Sequence, residues 1–158
     1  MAPLQQLRKE LKERSNAELI ECCLRLAKFK KDNKELLHYL LFEASDEEAY
    51  KASVKGMMEE EFKAIRPFPT YQRQKSVRKV LRNLKKFIRY SGKKETEVEL
   101  LIAFALALKS FRKSFASDTV LASIYFKQIE FIERQVLKLH EDFQFDYQAD
   151  LDVLREVN

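Results

Sequence analysis

The sequence predicts an all-α fold, and three observations carry the prediction. Hydrophobic residues make up 46% and charged residues 35% of the 158, a mixture that suits long amphipathic helices rather than a disordered tail. Only two Gly and three Pro are present, too few for a β-sandwich or barrel, which needs turn residues every ~8–12 positions. Apolar residues also recur at spacings of three and four along most of the chain. The expected architecture is a single helical domain over residues 1–158, built as a bundle or short superhelical stack of about 7–8 helices with a central apolar helix.

Leu4, Leu7 and Leu11 follow Pro3 at helical spacing and predict a short opening helix from Pro3 to Glu13. Ser15-Asn16-Ala17-Glu18 reads as a capping box, starting a second helix with Leu19, Ile20, Cys23, Leu26 and Ala27 inward. Asp32 is placed to cap a third, which carries Leu36, Leu37, Leu40 and Leu41. Ser45-Asp46-Glu47-Glu48 opens a fourth with Ala49, Tyr50, Val54, Met57, Met58, Phe62 and Ile65. Pro67 and Pro69 end it, because neither can donate to a helix ladder.

A loop from Arg66 to Arg73 leads to a fifth helix with Val77, Val80, Leu81, Leu84, Phe87 and Ile88 on one face, closed by Ser91-Gly92. The sixth, from Glu95 to Phe115, is apolar nearly all round through its middle, the pattern of a helix contacted on several sides. Ser117-Asp118 caps a seventh carrying Val120, Leu121, Ile124, Tyr125, Ile129, Ile132, Val136 and Leu139. A short eighth holds Leu151, Leu154 and Val157. The joints Phe42-Glu43-Ala44-Ser45-Asp46 and Phe115-Ala116-Ser117-Asp118 hint at a duplicated hairpin, although Ser-Asp is also the ordinary chemistry of an N-cap.

Several function classes find no support in these residues. The charged opening segment from Met1 to Leu11 reads as neither a signal nor a transit peptide, and the longest apolar run, Leu100 to Leu108, is less than half of the ~20 residues a membrane span needs. Cys22 and Cys23 are sequence neighbours, unsuited to a bridge, and are expected as free thiols in a reducing cytoplasm. No glycine-rich loop can wrap a phosphate, and two adjacent Cys with two distant His fall short of a zinc set. Glu35 and His38 have the spacing of half a di-iron site, but His140 has Leu137 where the second Glu would stand. Asp142, Asp146 and Asp150 read as a solvated acidic face, without the Gly-centred pattern of a calcium loop. The sequence thus suggests no cofactor, no metal and no catalytic motif.

One feature rises above this background. Between Phe62 and Lys94 stand twelve of the thirty Lys and Arg and none of the twenty-five Asp and Glu, so the rest of a chain with net charge +5 is itself acidic. At about 100° per residue, Lys75, Arg78, Lys79, Arg82, Lys85, Lys86 and Arg89 fall in an arc of about 120° opposite the apolar arc. These seven cations span ~21 Å of helix and suit phosphates or carboxylates. The partner expected first is an acidic protein, which makes the chain a non-enzymatic interaction or scaffold module. The alternative is a nucleic-acid-binding accessory protein with Tyr71 and Tyr90 as stacking groups. Insertion into a membrane is not expected, because the apolar arc is needed for the core. Weighed ahead of both partner readings is the plainer one, that the basic face pairs internally with Glu59, Glu60 and Glu61 or with the Glu141 to Glu156 stretch; a novel enzyme comes third among the functions.

Leu7-Arg8-Lys9-Glu10-Leu11-Lys12, then Ala17-Glu18-Leu19-Ile20, Asn33-Lys34-Glu35-Leu36-Leu37 and a basic helix after an Arg-rich loop resemble a family of small bacterial proteins classed as a domain of unknown function. The similarity covers the first ninety residues or so. It implies an all-helical cytoplasmic protein, and it carries over no functional residues.

Overall fold

A computed structural model describes residues 1–156. The fold is all-α, with nine α-helices and no strand among the described residues. Contacts divide the chain into two compact units, residues 1–45 and 46–158. Val157, expected on the last helix, lies outside the described residues.

In the first unit, α1 (Leu4–Lys12), α2 (Asn16–Phe29) and α3 (Lys31–His38) follow in sequence, and α3 runs on into a single π-turn, Tyr39–Glu43. The expected capping box is present: Ser15 Oγ accepts from the Glu18 N–H at 3.3 Å, and the Glu18 carboxylate accepts from the Ser15 N–H at 2.8 Å. Asp32 does not cap α3. The chain turns instead at extended Lys30, which puts Asp32 inside the first turn, and Asn33 ties the corner by donating to the Leu26 carbonyl at 2.8 Å.

The inward assignments on α2 hold for Leu19 and Ala27, which are half-buried, and fail for Ile20, Cys23 and Leu26, which are exposed. The cause is size. Helices of this length, with α2 packed mainly on α3, have too little facing surface to enclose an apolar stripe.

The second unit contains α4 (Glu47–Lys63), α5 (Thr70–Ser91), α6 (Lys94–Arg112), a 3₁₀ turn (Lys113–Phe115), α7 (Thr119–Val136), α8 (Glu141–Asp146) and α9 (Gln148–Arg155). As the sequence predicts, α6 is central, packing against α4, α5, α7 and α9. Leu100, Leu101, Phe104, Ala105 and Leu108 on it are at most 1% exposed. Phe111, nearer its end, is half-buried and packs on Phe62 and Phe115. The eighth helix of the prediction corresponds to α9, with Leu151 and Leu154 buried. The extra turn α8 is capped by His140, whose Nδ1 accepts from the Asp142 N–H at 3.4 Å. The break after α8 separates Asp142 and Asp146 from Asp150, so the four-residue spacing does not continue along one helix.

Both Ser-Asp joints work as caps through their aspartates. Asp46 accepts from the Ala49 N–H at 3.0 Å, and Asp118 from the N–H groups of Val120 and Leu121 at 3.1 and 3.2 Å. A tie invisible to periodicity joins α4 to α6: buried Lys51 on α4 pairs with Glu48 and with Glu99 on α6, and Glu99 also takes Lys55.

Candidate anion-binding face

Helix α5 begins at Thr70, three residues before the sequence-based loop was expected to end, with Pro69 in extended geometry as the N-cap. It stops at Gly92, where φ is +67°. This left-handed conformation suits a residue without Cβ.

Along α5, Arg73, Val77, Val80, Leu84 and Ile88 are buried, while Leu81 and Phe87 flank them half-buried. On the opposite side Lys75, Arg78, Lys79, Arg82, Lys85 and Arg89 are exposed. Lys86 alone of the seven predicted cations is half-buried, with Nζ 5.2 Å from the Phe87 ring centroid. A shallow open depression is lined by Arg78, Leu81, Arg82, Lys85 and Arg89. It places an apolar side chain among four guanidinium and ammonium groups.

Of the acids that were candidates for internal neutralisation, Glu61 lies against α5 and lines a depression with Lys79 and Asn83, yet it does not come within ion-pairing distance of the exposed cations. Glu60 pairs with Lys63 at 2.7 Å and Glu61 accepts from Asn83 at 3.1 and 3.2 Å. In the C-terminal stretch, Asp152 pairs with Arg155. Among the described residues, none of the six exposed cations has an acid within ion-pairing reach of 4.0 Å. The cations that flank the helix differ, since Lys63, Lys93 and Lys94 pair with Glu60, Glu47 and Glu97.

This arrangement costs the helix stability. Lys75/Lys79, Arg78/Arg82, Arg82/Lys86 and Lys85/Arg89 are like-charge neighbours at i,i+4. Each such pair is unfavourable by ~0.2–0.5 kcal/mol, about 1–2 kcal/mol in all. The buried arc easily offsets this, at roughly 1.5–3 kcal/mol for each aliphatic side chain, so the face is tolerated by folding without being required by it.

Sequence reasoning missed Arg73, which it left in a loop. The residue sits on the apolar arc of α5, four residues before Val77, and is 4% exposed. Its Nη2 donates to Asp118 at 2.7 Å, its Nη1 to the Pro67 carbonyl at 2.7 Å, and its guanidinium lies 4.0 Å from the centroid of Phe115. Asp118 also accepts from Gln74 at 2.9 Å. Burial pushes the Asp118 carboxyl up, but the hydrogen bonds from Arg73, the Leu121 N–H and Gln74 outweigh it and hold it below the usual range. A cation in helical register with Val77 and Val80 was the available signal.

Metal-binding readings gain nothing from the geometry. His38 is exposed, 4.0 Å from Glu43, with its ring 5.1 Å from that of Phe42 and tilted by 46°. Among the described residues no three His, Cys, Asp or Glu converge as a ligand set. Among them also, no helix is long and apolar enough to cross a membrane. Compared with protein-family models, curated proteins and solved structures, the chain finds no match.

Proposed function

We propose that this chain is a non-enzymatic helical interaction module that presents the outer face of α5 to an acidic segment of a partner protein in the cytoplasm. The observation that carries the reading is the set of six exposed cations on one helix face, unpaired among the described residues. Mutual repulsion within the set falls when carboxylates approach, so part of the folding cost returns on binding. Leu81, in the depression between Arg78, Arg82, Lys85 and Arg89, gives an amphipathic acidic segment an apolar contact as well as charge. The first unit adds support for a protein partner: Phe29, Leu40, Leu41 and Phe42 are 78%, 58%, 64% and 69% exposed, and large exposed apolar residues mark protein contact surfaces.

A second reading, nucleic-acid binding, is favoured by Tyr71. It is 69% exposed and shares the helical register of Lys75, Arg78, Arg82 and Arg89, where a base could stack at the head of the stripe.

One titration series separates the two. Wild type and the Arg78→Glu/Arg82→Glu/Arg89→Glu variant are titrated with a polyglutamate peptide, with single-stranded RNA and with duplex DNA at several salt concentrations. The proposal expects the peptide to bind wild type and not the variant. Preference for nucleic acid, with log affinity falling against log salt by about 0.9 per neutralised phosphate of duplex, establishes the second reading instead. Equal binding of all ligands by variant and wild type removes both.

A further inference from the structure

A second cationic feature lies away from α5, at the meeting of the end of α6, the 3₁₀ turn after it, α7 and the end of α9. A partly enclosed pocket of about 130 Å³ is lined there by Lys109, Arg112, Lys113, Tyr125, Phe126 and Arg155, among others. Arg155 is already neutralised, pairing with Glu133 at 2.8 Å and Asp152 at 3.3 Å. Lys109 donates to the Val153 carbonyl, which leaves its charge unbalanced. Lys113 is exposed and, among the described residues, has no acid in ion-pairing reach.

Arg112 is the unusual member. Its guanidinium carbon lies 5.0 Å from the Tyr125 ring centroid and 5.6 Å from that of Phe126, so it sits against an edge-to-face pair of rings that are 5.3 Å apart. Its Nε is buried and has no hydrogen-bond partner, and among the described residues no carboxylate or carbonyl accepts from the guanidinium at all. A buried guanidinium Nε with no acceptor among the described residues is uncommon, because buried donors ordinarily find one.

Helix polarity supplies the simplest competing account, since α6 and α9 both end here and cations are favoured at helix C-termini. Two such ends together are equivalent to about −1 charge. Glu156 adds one more negative charge to the lining, against the three cations not neutralised by a carboxylate. The balance stays positive, and the dipoles do not account for the buried Nε of Arg112, which has no acceptor among the described residues.

We propose that this pocket binds a phosphoryl group, with Arg112 as a bidentate donor positioned by its contacts with Tyr125 and Phe126, and Lys113 and Lys109 neutralising the remaining charge. The volume is enough for a tetrahedral oxyanion with some water, and too small for a nucleoside. The Tyr125 hydroxyl is not a ligand, because it donates to the Leu154 carbonyl at 2.7 Å. It fixes the ring that supports Arg112.

Inorganic phosphate, titrated at constant ionic strength and followed by backbone amide chemical shifts, tests the site. Saturable shifts at residues 109–116 and 154–156 are expected, with a dissociation constant between about 10 μM and 1 mM for so small an anion. Arg112→Met is expected to weaken binding at least tenfold and Lys113→Met several-fold, while Lys28→Met, at an exposed position of α2 outside the lining, leaves it unchanged. Lys113 is exposed, so its variant keeps the test valid should Arg112→Met unfold. Glycerol phosphate distinguishes the source: if it binds as tightly as inorganic phosphate, the group is carried on a larger molecule, and if it does not, the free ion is the ligand. Absence of saturable shifts, shifts confined to α5, or undiminished binding by both Arg112→Met and Lys113→Met would overturn the assignment. None of these outcomes depends on whether the α5 face binds an acidic partner.

Discussion

Replacing Asp118 with Ala removes four hydrogen bonds at once: those from Arg73, Gln74 and the N–H groups of Val120 and Leu121. Loss of an N-cap alone costs ~0.5–2 kcal/mol. The larger effect is what remains, a guanidinium whose side chain is 5% exposed, left with the Pro67 carbonyl as its acceptor among the described residues and with Nε already unpartnered. Breaking one side of a buried ion pair costs ~3–5 kcal/mol, and since the terms share partners they do not simply add. Asp118→Ala is therefore expected to lose about 3–5 kcal/mol in urea denaturation at neutral pH. Arg73→Met/Asp118→Ala, which removes the stranded charge, is expected to be more stable than Asp118→Ala alone. A single-variant loss below about 1 kcal/mol, the value of an exposed pair, refutes the reasoning, as does a double variant no more stable than the single. The pH dependence has a definite sign: because the folded carboxyl titrates below its usual range, its contribution is complete above the unfolded pKa and is lost as pH falls through the folded one. Asp118→Asn should flatten that acid limb.

Phe104, fully buried on α6 and 5.6 Å from the Phe62 ring, is expected to cost ~3–5 kcal/mol on truncation to Ala. A near-zero loss in chemical denaturation would contradict the central place of α6. Gly92→Ala should destabilise by about 1–2 kcal/mol from backbone strain alone, since a Cβ there meets no atom within 4 Å; an unchanged denaturation midpoint would mean that the α5 cap does not hold its left-handed turn in solution. Arg78→Glu/Arg82→Glu/Arg89→Glu should keep the helical circular-dichroism signal and melt within a few degrees of wild type, exposed charges being worth about 0–1 kcal/mol each. Unfolding of that variant would show that the face is part of the core's support.

The fold was readable where each residue's burial follows from its own helix. The apolar arc of α5, the all-round apolarity of α6 and the caps at Ser15, Asp46, Asp118 and Gly92 depend on neighbours within a few positions, and all reappear in the structure. Periodicity failed where burial depends on how much partner surface is present, as for Ile20 and Leu26, whose stripe on α2 stays exposed. It also failed for polar groups paired across long sequence separations. Arg73 with Asp118, and Lys51 with Glu99, lie more than forty residues apart, and no local pattern marks a charge destined for the interior. The seven-cation arc was legible as a pattern, and coordinates were needed to see that Lys86 sits partly inward and that no acid among the described residues comes within ion-pairing distance of the other six. The Arg112 pocket carries no spacing signal, because its walls come from three helices and a turn.

The buried contacts of α5 also fix its roll. Near its start, Arg73 and Gln74 grip Asp118, and near its end Tyr50 donates to the Phe87 carbonyl at 2.8 Å while Ser91 donates to Glu47. A rod clamped at both ends cannot turn about its own axis. Rotation by one residue, about 100°, would carry cations into the interior and valines into water, so the six exposed charges have a set azimuth and a spacing ruled by the helix pitch. Any anionic surface that meets them must match a rigid ruler, and variants at Arg73 or Asp118 should blur that ruler from within, changing recognition without touching a single contacting side chain.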